Sequence, residues 1–230
     1  MNRVEYRRRI LAANDEHALV LRERFAEKRV LVLDIVSSPG SGKTTLLEAT
    51  ARALPSALRL GCLVGDIATQ MDAERLQAAG MPSHQIITGG ACHLDARLVA
   101  EGIQAASFGS SGDTLPLDIL LLENVGNLVC PASYDLGEDV KVALLSVAEG
   151  HDKPFKYPAI FARAGITVFT KTDLLPHVDF DLECAREQVL TLNPTAIVLE
   201  VSVKQGKGLD AWCALLQARL DDKRRLETIA

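Results

Sequence analysis

Val30-Leu31-Val32-Leu33-Asp34-Ile35-Val36-Ser37-Ser38-Pro39-Gly40-Ser41-Gly42-Lys43-Thr44-Thr45 runs an apolar stretch into a Gly/Ser/Pro turn, and a helical pattern continues from Gly42 to Leu54. The phosphate-loop pattern G-x-x-x-x-G-K-[ST] is met at Gly42, Lys43 and Thr44, with Ser37 in place of its first glycine. The physics survives that change. Gly40 and Gly42 let the backbone wrap closely, so that the N–H groups of Gly40, Ser41, Gly42 and Thr45 can face phosphate oxygens. The helix N-terminus adds its positive end. Lys43 reaches the β- and γ-phosphates, and the Thr44 hydroxyl is suited to Mg²⁺. A chance Gly/Ser turn would not come with this strand before it and this helix after it.

Outward from the loop, strand and helix signals alternate. Leu60–Val64 is a second apolar strand ending at Gly65-Asp66, His84–Thr88 a short one and Leu117–Leu122 a strongly apolar one. Val140–Val147, Ile166–Phe169 and Ala196–Val201 are further strands. Helical patterns occupy Thr69–Ala79, Leu94–Ala106, Asp181–Leu192 and the stretch from Leu209 onward, and the Gly/Ser-rich Ser107–Gly112 reads as a loop. This alternation predicts an α/β fold, a mostly parallel sheet with helices on both faces. Residues 1–28 read as a separate amphipathic helix, with Val4, Leu11, Ala18 and Phe25 every seven residues and Leu21 between them. That helix is expected to dock on the body or on a partner, and residues 29–230 to form one P-loop domain.

Three later segments supply a guanine site. Guanine offers N1–H and N2–H₂ donors, which an acceptor-only aspartate, Asp173, takes together. Adenine would present a mismatched lone pair. Lys171 can lay its stem across the base, and Ser202-Val203-Lys204 follows the last strand on the other side. Thr170 stands where GTPases usually carry Asn. After the third apolar strand, Glu123-Asn124-Val125-Gly126 resembles the D-x-x-G of GTPases, with Glu123 in reach of Mg²⁺ and the Gly126 N–H placed to sense a γ-phosphate. Asp66 is a second carboxylate at a strand end, where ligands of parallel sheets gather. It is suited either to Mg²⁺ or to positioning the attacking water.

Composition narrows the class. The chain has 230 residues, with 25 Lys and Arg against 30 Asp and Glu, a formal charge of −5. That balance points away from nucleic acid. No apolar run approaches the roughly 18 residues of a membrane span, and no apolar segment of a secretory leader follows Arg3, Arg7, Arg8 and Arg9. Five cysteines are too few and too scattered for a disulfide scaffold, which favours a cytoplasmic setting. Cys92-His93 precedes a helix, and Cys130-Pro131 lies 38 residues on. Spacing alone leaves both metal binding and buried free thiols open. Cys62, Cys184 and Cys213 read as core.

Taken in order, Ser37–Thr45, Gly65-Asp66, Cys92-His93-Leu94-Asp95-Ala96, Glu123–Pro131, Asp152-Lys153-Pro154-Phe155-Lys156-Tyr157-Pro158 and Lys171–Pro176 resemble the HypB family, GTPases that assist nickel delivery to [NiFe]-hydrogenase. The resemblance spans roughly residues 28–220. It implies a G domain of the SIMIBI class of P-loop NTPases, slow hydrolysis of GTP to GDP, and a homodimer promoted by GTP. It also implies a Ni²⁺ or Zn²⁺ site at Cys92, His93 and Cys130, with Asp152–Pro158 near the dimer interface. Other hydrogenase-maturation proteins and the hydrogenase large subunit are the implied partners, with no nucleic acid and no membrane insertion. The Cys-rich or His-rich leader of some members is not matched, since residues 1–28 hold only His17. Ser37 and Thr170 are expected to detune nucleotide affinity. The rival readings are a urease accessory GTPase, a P-loop small-molecule kinase and a non-catalytic metal buffer. The first is disfavoured by the lack of a Cys-Pro-His triplet, the second by Asp173.

Overall fold

In the computed structural model, which describes residues 3–67, 70–106, 108 and 115–226, every apolar run named above is a strand. They are β1 (Leu31–Ser37), β2 (Leu60–Asp66), β3 (Ser83–Ile87), β4 (Ile119–Glu123), β5 (Val140–Ser146), β6 (Ile166–Thr170) and β7 (Ile197–Val201). They form one sheet in the order β3-β2-β4-β1-β5-β6-β7, and each neighbouring pair is parallel. The sheet among the described residues is thus wholly parallel. β1, β4, β5 and β6 are buried at every position, which is why their sequences run apolar without alternation.

Helices cover both faces: α1 (Arg3–Glu27), α2 (Lys43–Ala53), α3 (Met71–Ala78), α4 (Ala96–Ala105), α5 (Lys153–Lys156), α6 (Pro158–Arg163), α7 (Leu182–Leu192) and α8 (Leu209–Leu226). Side chains of β1 divide between the faces by the two-residue period of a strand. Leu31, Leu33 and Ile35 pack with Leu46 and Leu47 of α2, Leu76 of α3 and Trp212 and Leu216 of α8. Val32 meets the opposite layer, where Ala18, Leu21 and Phe25 of α1 lie with Val99 and Ile103 of α4. Val36 joins Phe161 of α6 and Val189 of α7.

The register brings the carboxyl ends of the strands to one edge. Ile35 of β1 and Val64 of β2 both stand opposite Glu123, and Ser146 of β5 stands opposite Thr170 of β6. Ser37, Asp66, Glu123 and Thr170 therefore end their strands on the same rim of the sheet. From β1 the chain winds toward β2 and β3 on one side, and from β5 toward β7 on the other. The crevice at such a reversal is where open parallel sheets hold ligands.

Some expectations shift. The seven-residue stripe of α1 holds from Ala18 to Phe25, but Val4 is exposed and Leu11 half-buried, so the first turns of α1 extend beyond the body. The helix expected from Thr69 begins at Met71, and Ala68 and Thr69 lie outside the described residues. The Ser107–Gly112 loop also falls outside them, except for Phe108. Cys62 and Cys213 are core, whereas Cys184 is half-buried on α7, with Gln188 Nε2 at 3.3 Å from its sulfur. α5 and α6 carry no helical period in the sequence, being four and six residues long.

Candidate functional site

The loop after β1 takes the backbone conformation its glycines permit: Gly40 has φ +76° and Gly42 φ +93°, both in the left-handed region that a side chain would strain. Gly42 caps α2, so the first amides of that helix face the crevice unpaired by any side chain of Gly42. Ser37 is tied into the loop. Its hydroxyl donates to the Ser38 carbonyl at 2.7 Å and accepts Lys43 Nζ at 3.1 Å. Ser41 Oγ bonds the Ser38 carbonyl at 2.8 Å and Glu149 Oε1 at 2.6 Å. Lys43 is buried, and burial lowers its pKa while Glu123 works against that shift.

Thr44 Oγ1 donates to Glu123 Oε1 at 2.7 Å. The second oxygen, Glu123 Oε2, is buried with no hydrogen-bond partner among the described residues. Burial raises the carboxyl to about 7, although Lys43 and Thr44 pull the other way. A hydroxyl beside a carboxylate with a spare oxygen is a donor set suited to a hard cation such as Mg²⁺. Asp66 and Gly126 line the same cavity of about 460 Å³, together with Lys43, Thr44 and Thr45. A Cβ on Gly126 would stand 3.0 Å from Pro39 Cα, so the glycine lets the 123–126 segment lie against the loop. Sequence reasoning missed Arg75, which lines this cavity and bonds Glu48 at 3.0 Å, Asp72 at 3.2 Å and Thr45 Oγ1 at 3.3 Å. An arginine on the polar side of a short helix carries no signal of its own.

A second cavity of about 280 Å³ adjoins the first through Gly42, Thr45 and Lys171. Thr170, Asp173, Val203 and Lys204 line it. Thr170 Oγ1 donates to the Ser41 carbonyl at 2.6 Å, so the threonine stitches β6 to the phosphate loop. Lys171 is held at φ +58°, and its Nζ donates to the Gly40 carbonyl at 2.6 Å. Ser202 Oγ donates to Asp173 Oδ1 at 2.6 Å, which lowers the carboxyl's pKa and leaves Asp173 an acceptor.

Cys92, His93 and Cys130 converge: one donor atom from each lies within 4.8 Å of the others. Cys92 Sγ is 3.8 Å from His93 Nδ1 and 2.6 Å from Cys130 Sγ. Around a tetrahedral ion, two thiolates at about 2.3 Å stand roughly 3.8 Å apart, and a thiolate and an imidazole nitrogen slightly less. The neighbouring Cys-His pair is thus at chelating distance, and Cys130 has about 1 Å to open. Two thiols and an imidazole suit Zn²⁺ or Ni²⁺. His93 stacks on Tyr134, with ring centroids 3.8 Å apart, and burial lowers its pKa, which favours the neutral, ligating form. A helix N-terminus by itself favours the thiolate form of a nearby cysteine. The structure differs: Asp95 caps α4, accepting from the Leu98 amide at 2.7 Å, and Cys130 raises the Cys92 pKa.

Asn124, also missed, joins the two centres. It is buried beside Glu123, its Nδ2 donates to Asp34 at 3.0 Å, and its Oδ1 accepts from the Val125 and Leu94 amides, each at 3.0 Å. Asp34 in turn pairs with Lys141, which also bonds Glu138 at 2.9 Å. Burial opposes the Lys141 charge, yet these two carboxylates raise its pKa.

A Gly-Lys-Thr loop at the head of a central parallel strand, opening onto two joined cavities, defines a P-loop NTPase fold. The sequence model of the family described as CobW/HypB/UreG, nucleotide-binding domain, matches residues 31–200. The chain belongs to that family and, within it, to HypB. It is 46% identical over 217 residues to the hydrogenase maturation factor HypB of Escherichia coli K12, covering 91% of this chain and 70% of that one. The Helicobacter pylori J99 relative, named hydrogenase/urease maturation factor HypB, is 40% identical over 203 residues, 88% of this chain and 82% of that one. The crystal structure of HypB from Helicobacter pylori in complex with nickel superposes with a TM-score of 0.83 at 37% identity, covering 94% of this chain and 97% of that one.

Proposed function

We propose that this chain is a GTP-hydrolysing nickel metallochaperone that assists nickel insertion into [NiFe]-hydrogenase. The observation that carries the proposal is the convergence of Cys92, His93 and Cys130 within 4.8 Å, with Cys130 four residues past a Gly126 that lies against the phosphate loop. The names of its relatives and the nickel-bound HypB neighbour support the cargo.

Asp173 accepts both guanine donors, with Lys171, Val203 and Lys204 around the base. Lys43 and the amides of residues 40–45 hold the phosphates. Thr44, Glu123 and Asp66 would hold Mg²⁺, which when bound offsets charge on the β- and γ-phosphate oxygens. The Gly126 N–H faces the γ-phosphate, so loss of that group frees the segment leading to Cys130. Nickel, as cargo, is held by Cys92, His93 and Cys130 and handed on when that segment moves. The reading further places the chain in the cytoplasm, as a homodimer in its GTP state, working with other maturation proteins and the hydrogenase large subunit.

The test is a Ni²⁺ titration of the wild type and Cys130→Ala, each with GDP and with a non-hydrolysable GTP analogue, alongside GTP turnover. Nucleotide-dependent Ni²⁺ affinity, lost in Cys130→Ala, is expected. Nickel binding indifferent to Cys130 would refute the ligand set. The Helicobacter relative's name also joins urease to hydrogenase, and transfer assays to both apo-enzymes separate those two recipients.

A further inference from the structure

The geometry points to Asn14 of α1 as a positioning residue for the Cys92–His93–Cys130 cluster. Asn14 is 6% exposed, and its amide is used at both ends. Oδ1 accepts from the Ala96 N–H at 2.9 Å, and Nδ2 donates to the Asp135 carbonyl at 2.9 Å. Those partners stand on the two segments that carry the cluster: Ala96 is the first residue of α4, just past Cys92-His93, and Asp135 lies just past Cys130. One planar side chain therefore sets the distance between the segment with two of the donors and the segment with the third.

Chemistry supports that use. The first amides of a helix have no partner inside it, and Asn14 satisfies one of them with an oxygen that water does not reach. An asparagine alone among short side chains offers donor and acceptor in one plane, as a bridge between an N–H and a C=O requires. Arg22, two turns on along α1, grips the same segment through both Asp135 oxygens at 2.7 Å. Tyr134, next to Asp135, stacks on His93 at 3.8 Å. The bridge, the arginine and the stacked ring fix Cys130 relative to Cys92. Groups that orient metal ligands without touching the metal commonly affect affinity 10- to 100-fold.

The inference rests on the proposed ligand set, and the test separates the two. Ni²⁺ affinity is measured by chelator competition on the full chain, with the thiolate-to-nickel absorption band and GDP affinity recorded on the same samples. Asn14→Ala is expected to weaken Ni²⁺ binding by about tenfold or more and to shift the band, with GDP affinity within about twofold of wild type. Asn14→Asp keeps the acceptor for Ala96 and loses the donor, so an intermediate loss is expected, and this variant carries the test should Asn14→Ala fail to fold. Leu21→Ala loosens the packing of α1 with the amide intact and is expected to leave Ni²⁺ binding near wild type. Wild-type affinity and an unshifted band in both Asn14 variants would overturn the inference. So would an equal loss in Leu21→Ala, which would assign the effect to helix docking. Undiminished Ni²⁺ binding in Cys130→Ala would instead overturn the ligand set itself.

Discussion

Leu94 and Asn124 are joined by a hydrogen bond of 3.0 Å from the leucine N–H to the asparagine side-chain oxygen. Leu94 directly follows His93. Asn124 directly follows Glu123, whose carboxylate accepts the Thr44 hydroxyl. The contact is thus a link between the phosphate loop and the thiol–imidazole loop that does not pass through Cys130.

That link is expected to transmit nucleotide state. In the wild type, Ni²⁺ affinity should differ several-fold between the GDP and GTP-analogue forms, and by linkage Ni²⁺ should change the ratio of GTP to GDP affinity equally. Asn124→Ala should bring both ratios toward one while leaving Cys130 in place. Paired calorimetric titrations check this, and equal wild-type affinities in the two nucleotide states would reject the coupling.

A pH dependence follows from Glu123. Its carboxyl in the folded chain titrates near 7 against an ordinary value of 4.5. Between those values the folded chain holds a proton that the unfolded chain has released. Stability of the nucleotide-free, metal-free chain therefore falls as pH rises through that window, and the loss is complete above about 7. Its size is on the order of 3 kcal/mol at most. Glu123→Gln removes the titration, so its Tm should match wild type near pH 4 and exceed it at pH 8. A Tm difference that does not change with pH would contradict the assignment.

Base choice should follow Asp173. Asp173→Asn replaces an acceptor that Ser202 orients, and loss of charge-assisted bonds of about 1.5–3 kcal/mol weakens GTP binding roughly 10- to 100-fold. ATP binding should hardly change. Competition with a fluorescent GDP analogue measures both. In Lys43→Ala, GTP turnover should vanish.

Much of this was legible in the chain because it is local. The phosphate loop is nine consecutive residues, and a strand buried on both faces announces itself as an apolar run. The whole order of elements around Asp66, Glu123 and Asp173 follows from such runs. Other features are not local. α5 and α6 are too short to show a period, and each opens with proline in its first turn. Arg75 is an ordinary polar-face residue until α3 is laid beside Glu48 and Thr45. Asn14 is one polar residue among many in a long, charged helix. Cys92 and Cys130 follow β3 and β4, strands that β2 separates in the sheet, so their meeting depends on a strand order and on loop paths that no spacing encodes.

Assembly should involve the exposed apolar residues in and just beyond the chain segments that line the first cavity. Ile67, Met71 and Val129 are 49%, 66% and 61% exposed, and Ile67 lines that cavity. With a bound non-hydrolysable GTP analogue, light scattering is expected to give twice the monomer mass at tens of micromolar chain, and Val129→Asp should restore the monomer. A wild type that stays monomeric under saturating analogue would count against the GTP-promoted dimer.

The bridge made by Asn14 also has a consequence in time. Its two hydrogen bonds span 82 and 121 residues of chain, and the contact between the two thiols spans 38. Contacts of such long span must meet the entropy of closing the chain between their ends before they stabilise anything. α1 leaves the ribosome well before α4 and the segment around Asp135, and it has nothing to bridge until both are in place. A half-made chain therefore has no assembled three-donor pocket with which to sequester a scarce transition metal. In the proposed reading, cargo capture waits until the phosphate loop and the segment that leads from Glu123 to Asp135 have both been built.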